Sequence, residues 1–145
     1  MSTVSKDKKK ILKGQKEVRA KEYGYRRYIN SWKNSFEGYK YAYTHEQSLL
    51  LHIFFSVVAI VCGIVFNITG TQWILLFLVM VVILVAELLN TAIEATVDLI
   101  TEDFHPLAKV AKDCASASVT TATLLAITVG VYVFIPQIIE LIFKR

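Results

Sequence analysis

The chain has 145 residues, 54% of them hydrophobic and 19% charged, with a formal net charge of +4 and a mean hydropathy of +0.48. One soluble domain fits that length, but the apolar residues are gathered into long uncharged runs that so short a chain has too little left to cover. Two cysteines, Cys62 and Cys114, exclude a disulfide framework, and the basic excess lies in one tail without a zinc finger or other recognition module. That balance argues against nucleic acid as a partner and suits an anionic membrane leaflet.

Residues 1–22, "MSTVSKDKKKILKGQKEVRAKE", are basic, polar and poor in core material, which describes a peripheral or solvated tail able to touch lipid headgroups. From about 24 to 45 the pattern changes. Tyr25, Tyr28, Ile29, Trp32, Phe36, Tyr39 and Tyr43 recur at steps of three and four, while Arg27, Asn30, Asn34 and Glu37 face away. A one-sided aromatic helix flanked by Lys and Arg suits the membrane surface, although a helix packed on other protein would show the same stripe.

Three spans follow. "LLLHIFFSVVAIVCGIVFNI" (49–68), "QWILLFLVMVVILVAELL" (72–89) and "CASASVTTATLLAITVGVYVFIPQIIELIF" (114–143) each meet the roughly 20 apolar residues that a spanning helix needs. The spans are expected at about 48–68, 72–100 and 112–140. Nothing from 74 to 100 is Gly or Pro, so the second helix can run on beyond the bilayer as one rod. Pro106 marks the connection, and Pro136 is expected to kink or end the last helix. Ala111, Ala115, Ser118, Ala122, Ala126 and Gly130 form a stripe of small residues suited to close helix approach in lipid. No cleavable signal is expected, because the first apolar run begins near residue 49. Residues 1–47 hold twelve of the sixteen Lys and Arg, which places the N-terminus in the cytoplasm and, after three crossings, the C-terminus outside. The expected class is an all-α, multi-pass protein of the inner or plasma membrane.

The second span carries an anomaly. Glu87, Asn90, Glu94 and Asp98 fall at relative angles near 0°, 300°, 340° and 20°, one stripe roughly 80° wide and 16 Å long. An ionised carboxylate in hydrocarbon costs at least about 2.5 kcal/mol, so it must face protein, water or a cation. A polar seam between helices is one reading; a cation-binding or proton-handling face is the other. Carboxylates with an amide suit Mg²⁺, a hard cation that prefers oxygen, whereas His45, His52 and His105 match no zinc spacing. Glu87, the deepest, suits a general base; Glu94, nearer water, suits metal, and Glu46 at similar depth on another helix would complete that site. Lys112–Asp113 stands where the third span enters the membrane: a snorkelling anchor or, beside an acidic face, a phosphate contact. There is no Walker A or other soluble nucleotide-binding motif.

"ELLNTAIEATVDLI" (87–100), "HPLAKVAKDCASASV" (105–119) and "SWKNSFEGYKYAYTHE" (31–46) resemble the small prokaryotic diacylglycerol kinase family, with "HPLAKVAKD" and "NTAIEATVDLIT" nearer its Gram-positive undecaprenol kinase branch. The resemblance covers about residues 28–136 and joins the surface helix and spans into one lipid kinase domain, 23–145. It implies a homotrimer with active sites shared between neighbours at the cytoplasmic face, and ATP- and Mg²⁺-dependent phosphorylation of a lipid alcohol. Undecaprenol is the first choice and diacylglycerol the alternative. Carried over, Glu46 and Glu94 hold the metal, Glu87 is the base, and Asn90 orients it or the reacting groups. Lys112 contacts the ATP phosphates, while Asp98 and Asp113 organise the nucleotide side. The chain departs from the family after Glu46, reading "EQSLLLH", and carries Ser116 and Ser118 where Ala or Gly is usual. A non-enzymatic membrane assembly subunit and a small ion transporter are the competing classes.

Overall fold

A computed structural model describes residues 25–101 and 103–143. The basic tail and the two C-terminal basic residues therefore lie outside the described residues. The described chain is all-helical and falls into two units, one ending at Glu37 and one starting at Gly38. Four helices follow in order: α1 (Tyr25–His45), α2 (Gln47–Val65), α3 (Gly70–Ile100) and α4 (Pro106–Phe143). The last three are long and apolar enough to cross a membrane.

On α1, Tyr25, Tyr28, Trp32 and Phe36 are all exposed. The break between α1 and α2 is one residue long. Glu46 adopts an extended conformation there (φ −109°, ψ 110°), while its amide still donates to the Ala42 carbonyl at 2.9 Å.

The α2–α3 hairpin turns on Asn67, whose φ of 51° lies in the left-handed region that Asn tolerates better than most residues. Thr69 then caps α3: Gln72 N–H donates to its hydroxyl, and the Thr69 amide donates to the Gln72 side chain at 2.8 Å. Above the turn, a Cβ built at Gly63 would come within 2.8 Å of the Trp73 ring, so glycine is what lets α2 approach α3 here.

Leu76, Val79, Ile83, Ala86, Glu87, Asn90 and Thr91 form the buried stripe of α3, spaced at three and four. It packs mainly on α4. Ile83 and Ala86 meet Ala122, with Val119 and Ala126 alongside, and nearer the hairpin Leu76 and Ile68 meet Val133. Ala115, Ala122 and Ala126 of the small-residue stripe lie on the packed side, whereas Gly130 has open space around its Cβ position. α4 begins at Pro106, so the helix already runs through Lys112, near which the third span is expected to start. Proline lacks the amide that a first helical residue cannot use, and the Leu107 amide donates to His105 Nδ1 at 3.2 Å, so His105 caps the end. The helix continues through Pro136 to Phe143.

Candidate active site

The polar stripe of α3 continues the same buried line that Leu76, Val79 and Ile83 begin. Its first member, Glu87, is 0% exposed. A buried carboxylate needs partners, and α2 supplies them. Ser48 Oγ donates to Glu87 Oε2 at 3.0 Å, and His52 Nε2 stands 3.2 Å from Oε1. That second approach is off the line of a hydrogen bond, and among the described residues Oε1 has no hydrogen-bond partner. Thr91 Oγ1 donates to the Glu87 carbonyl, which keeps a buried hydroxyl satisfied within the helix.

One turn on, Asn90 Nδ2 donates to Glu94 Oε1 at 3.0 Å, while Asn90 Oδ1 is buried without a hydrogen-bond partner among the described residues. Glu46 closes this cluster from the start of α2. Burial first, then repulsion from Glu94 and from Glu87, raises its carboxyl above the ordinary range; the Thr91 hydroxyl and His45 oppose the shift. The structure thus brings Glu46, Glu87, Asn90 and Glu94 into one electrostatic neighbourhood.

Among the described residues, no group of three His, Cys, Asp or Glu side chains could hold a metal by itself. Mg²⁺ is commonly held by one or two carboxylates together with substrate phosphates. Two mutually repelling carboxylates beside an orphaned amide oxygen fit such a cation.

Lys112 and Asp113 are placed differently. Lys112 Nζ donates to Asp98 Oδ1 at 2.6 Å, tying α4 to the exposed end of the α3 stripe. Asp113 pairs with Lys109 along α4. These four residues, with Asp103 and His105, line an open cavity of ≈ 490 Å³ at the α3–α4 connection. A second cavity of ≈ 450 Å³ has Ser48 and His52 at one end and runs between apolar walls past Ser56, Ala59, Met80, Ala126 and Phe134.

Sequence reasoning passed over Ser48 and assigned His52 no role. Ser48, His52 and Ser56 are polar residues at successive four-residue steps in an apolar span, and that repeat was the available signal. It marks the face of α2 that meets Glu87.

The sequence pattern of the prokaryotic diacylglycerol kinase family matches residues 33–134. Undecaprenol kinase of Bacillus subtilis is 37% identical over 93 residues, which cover 64% of this chain and 76% of that protein. Diacylglycerol kinase of a Synechocystis species is 32% identical over 112 residues, covering 77% and 64%. Diacylglycerol kinase of Pseudomonas aeruginosa is 36% identical over 106 residues, covering 72% and 86%. With the match running from the middle of α1 into the last third of α4, the chain belongs to the prokaryotic diacylglycerol kinase family, as a multi-pass membrane lipid kinase that takes its phosphate from ATP.

Proposed function

We propose that the chain phosphorylates undecaprenol, giving undecaprenyl phosphate, and does so as a homotrimer with its N-terminus and active sites on the cytoplasmic face. The observation that carries the reaction is a wholly buried carboxylate, Glu87, in contact with Ser48 and His52, which themselves line one end of an apolar cavity. A lipid alcohol satisfies both ends of such a site: its chain occupies the apolar walls and its hydroxyl reaches the carboxylate. Glu87 accepts the hydroxyl proton, the oxygen attacks the γ-phosphorus of ATP, and the bond to the β,γ-bridging oxygen breaks to release ADP. Asn90 orients Glu94 through its amide hydrogen bond. Glu46 and Glu94 hold Mg²⁺, which when bound offsets the charge of the phosphate oxygens. Lys112 exchanges Asp98 for a phosphate oxygen, and Asp98 and Asp113 keep the basic side chains of the nucleotide end in place.

Undecaprenol is favoured by the Bacillus subtilis relative, an undecaprenol kinase, together with "HPLAKVAKD" and "NTAIEATVDLIT". Diacylglycerol is the second reading, supported by the relatives from Synechocystis and Pseudomonas aeruginosa. The two are separated by offering both lipids at equal mole fraction in one detergent mixture, with Mg²⁺ and labelled ATP. Label is expected chiefly in undecaprenyl phosphate, and a clear preference for diacylglycerol reverses the assignment. In the same assay Glu87→Gln is expected to abolish turnover while its assembly state stays parental; a parental rate would remove Glu87 as the base.

A further inference from the structure

The two oxygens of Glu87 are unequal. Oε2 accepts the Ser48 hydroxyl, whereas Oε1 is buried, lacks a hydrogen-bond partner among the described residues, and lies 3.2 Å from His52 Nε2. A carboxyl group with no contact to solvent has no direct way to discard a proton it has taken up. An imidazole nitrogen at that distance is a group able to receive it.

We propose that Glu87 Oε1 takes the proton of the lipid hydroxyl and that His52 Nε2 relieves it of that proton, resetting the base after each turnover. This deepens the lipid kinase reading and rests on it. In the first transfer the lipid O–H bond breaks, its proton goes to Oε1, and the freed electron pair forms the new bond to phosphorus as ADP leaves. In the second, the imidazole turns onto the line of Oε1, the Oε1–H bond breaks, the carboxylate is restored, and neutral His52, protonated on Nδ1, accepts the proton at Nε2 to become imidazolium. It stands roughly 9 Å along α2 from Glu46, and the imidazolium passes the proton on toward that end of the helix. His52 acts through Glu87 and is a positioning residue for the reaction.

The groups around His52 leave this assignment clear. Glu87 faces it from α3, with Glu94 about two turns further along that helix. Glu46 and His45 lie at the α1–α2 junction. The α4 wall of the cavity contributes Thr123, Ala126 and Ile127, none of which titrates.

His52→Gln and His52→Ala test the relay in the full-length enzyme. Glutamine retains an amide donor and nearly the volume of histidine but takes up no proton. Both variants are expected to lower kcat roughly 10²-fold, with KM for ATP within about twofold of parental. The acid limb of the kcat profile should change shape, leaving only the part set by the carboxylates, and added imidazole should restore part of the His52→Ala rate. A parental kcat in His52→Gln overturns the relay. So does a slow enzyme whose pH profile keeps its parental shape and ignores imidazole. If His52→Ala fails to assemble, the rate and pH profile of His52→Gln decide alone. Inactive Glu87→Gln beside fully active His52→Gln removes only the relay; active Glu87→Gln removes the base reading beneath it.

Discussion

Glu46 is held where an ionised carboxylate is disfavoured: burial, Glu94 and Glu87 all raise its pKa. A carboxyl whose folded-state pKa exceeds its unfolded value stabilises the fold fully below the unfolded pKa and loses that contribution as pH rises through the folded one. Without Mg²⁺ the protein should therefore lose stability as pH rises above the ordinary glutamate range. Glu46→Gln should flatten that dependence and be at least as stable at neutral pH, yet inactive. Added Mg²⁺ should stabilise the parent at neutral pH and leave Glu46→Gln unmoved. Thermal unfolding in detergent, with and without Mg²⁺ across pH 5–8, measures all three; a parental response to Mg²⁺ in Glu46→Gln would remove Glu46 from the metal site. At this scale the sequence was legible along one helix and opaque across two. The common face of Glu87, Asn90, Glu94 and Asp98 follows from helical arithmetic alone. That Ser48 and His52 meet Glu87 depends on how far α2 slides along α3, and the Glu46 break, Asn67 turn and Gly63–Trp73 contact that accompany this register are invisible to a periodicity count.

α3 works as a rod that changes solvent along its length, from the hairpin at Gly70 to the exposed Asp98. Its stripe of buried residues stays on one face while the side chains change from Leu76 and Val79 to Glu87 and Asn90, so the packing that seats α4 also orients the site. The seam is narrow because Ala122, 6% exposed, sits opposite Ile83 and Ala86. Ala122→Leu should force the helices apart at a cost of roughly 1–3 kcal/mol, lowering the unfolding midpoint in detergent and the turnover together. An unchanged midpoint would show that the small-residue face is not the close contact between these helices. The α4 start shows the limit of reading punctuation from sequence. Pro106 was legible as a boundary, but its side of the boundary was set by the His105 cap and by proline's tolerance of the first helical position.

For the whole molecule, the most apolar windows of α2, α3 and α4 are only 11%, 33% and 11% buried. Lipid or neighbouring subunits must cover the rest, because in water such apolar faces would aggregate. A site shared between neighbours belongs to the proposed homotrimer. Within one chain Lys112 is held by Asp98, eleven residues beyond Glu87 and therefore roughly 16 Å along the helix axis. An ammonium group at that distance does not sit beside the phosphorus that the lipid oxygen attacks. In the proposed trimer, the lysine serving one Glu87 comes from the adjacent subunit. Lys112→Ala and Glu87→Gln should each be inactive alone. When the two are unfolded, mixed in equal amounts and reassembled, on the order of a quarter of the sites should combine an intact base with an intact lysine in a closed ring. Recovery of that fraction of parental turnover is the expected result, with no recovery when either variant is reassembled with itself. If the mixture stays inactive while eluting as the same oligomer, base and lysine serve one site from the same chain, and a shared active site built from these two groups is ruled out.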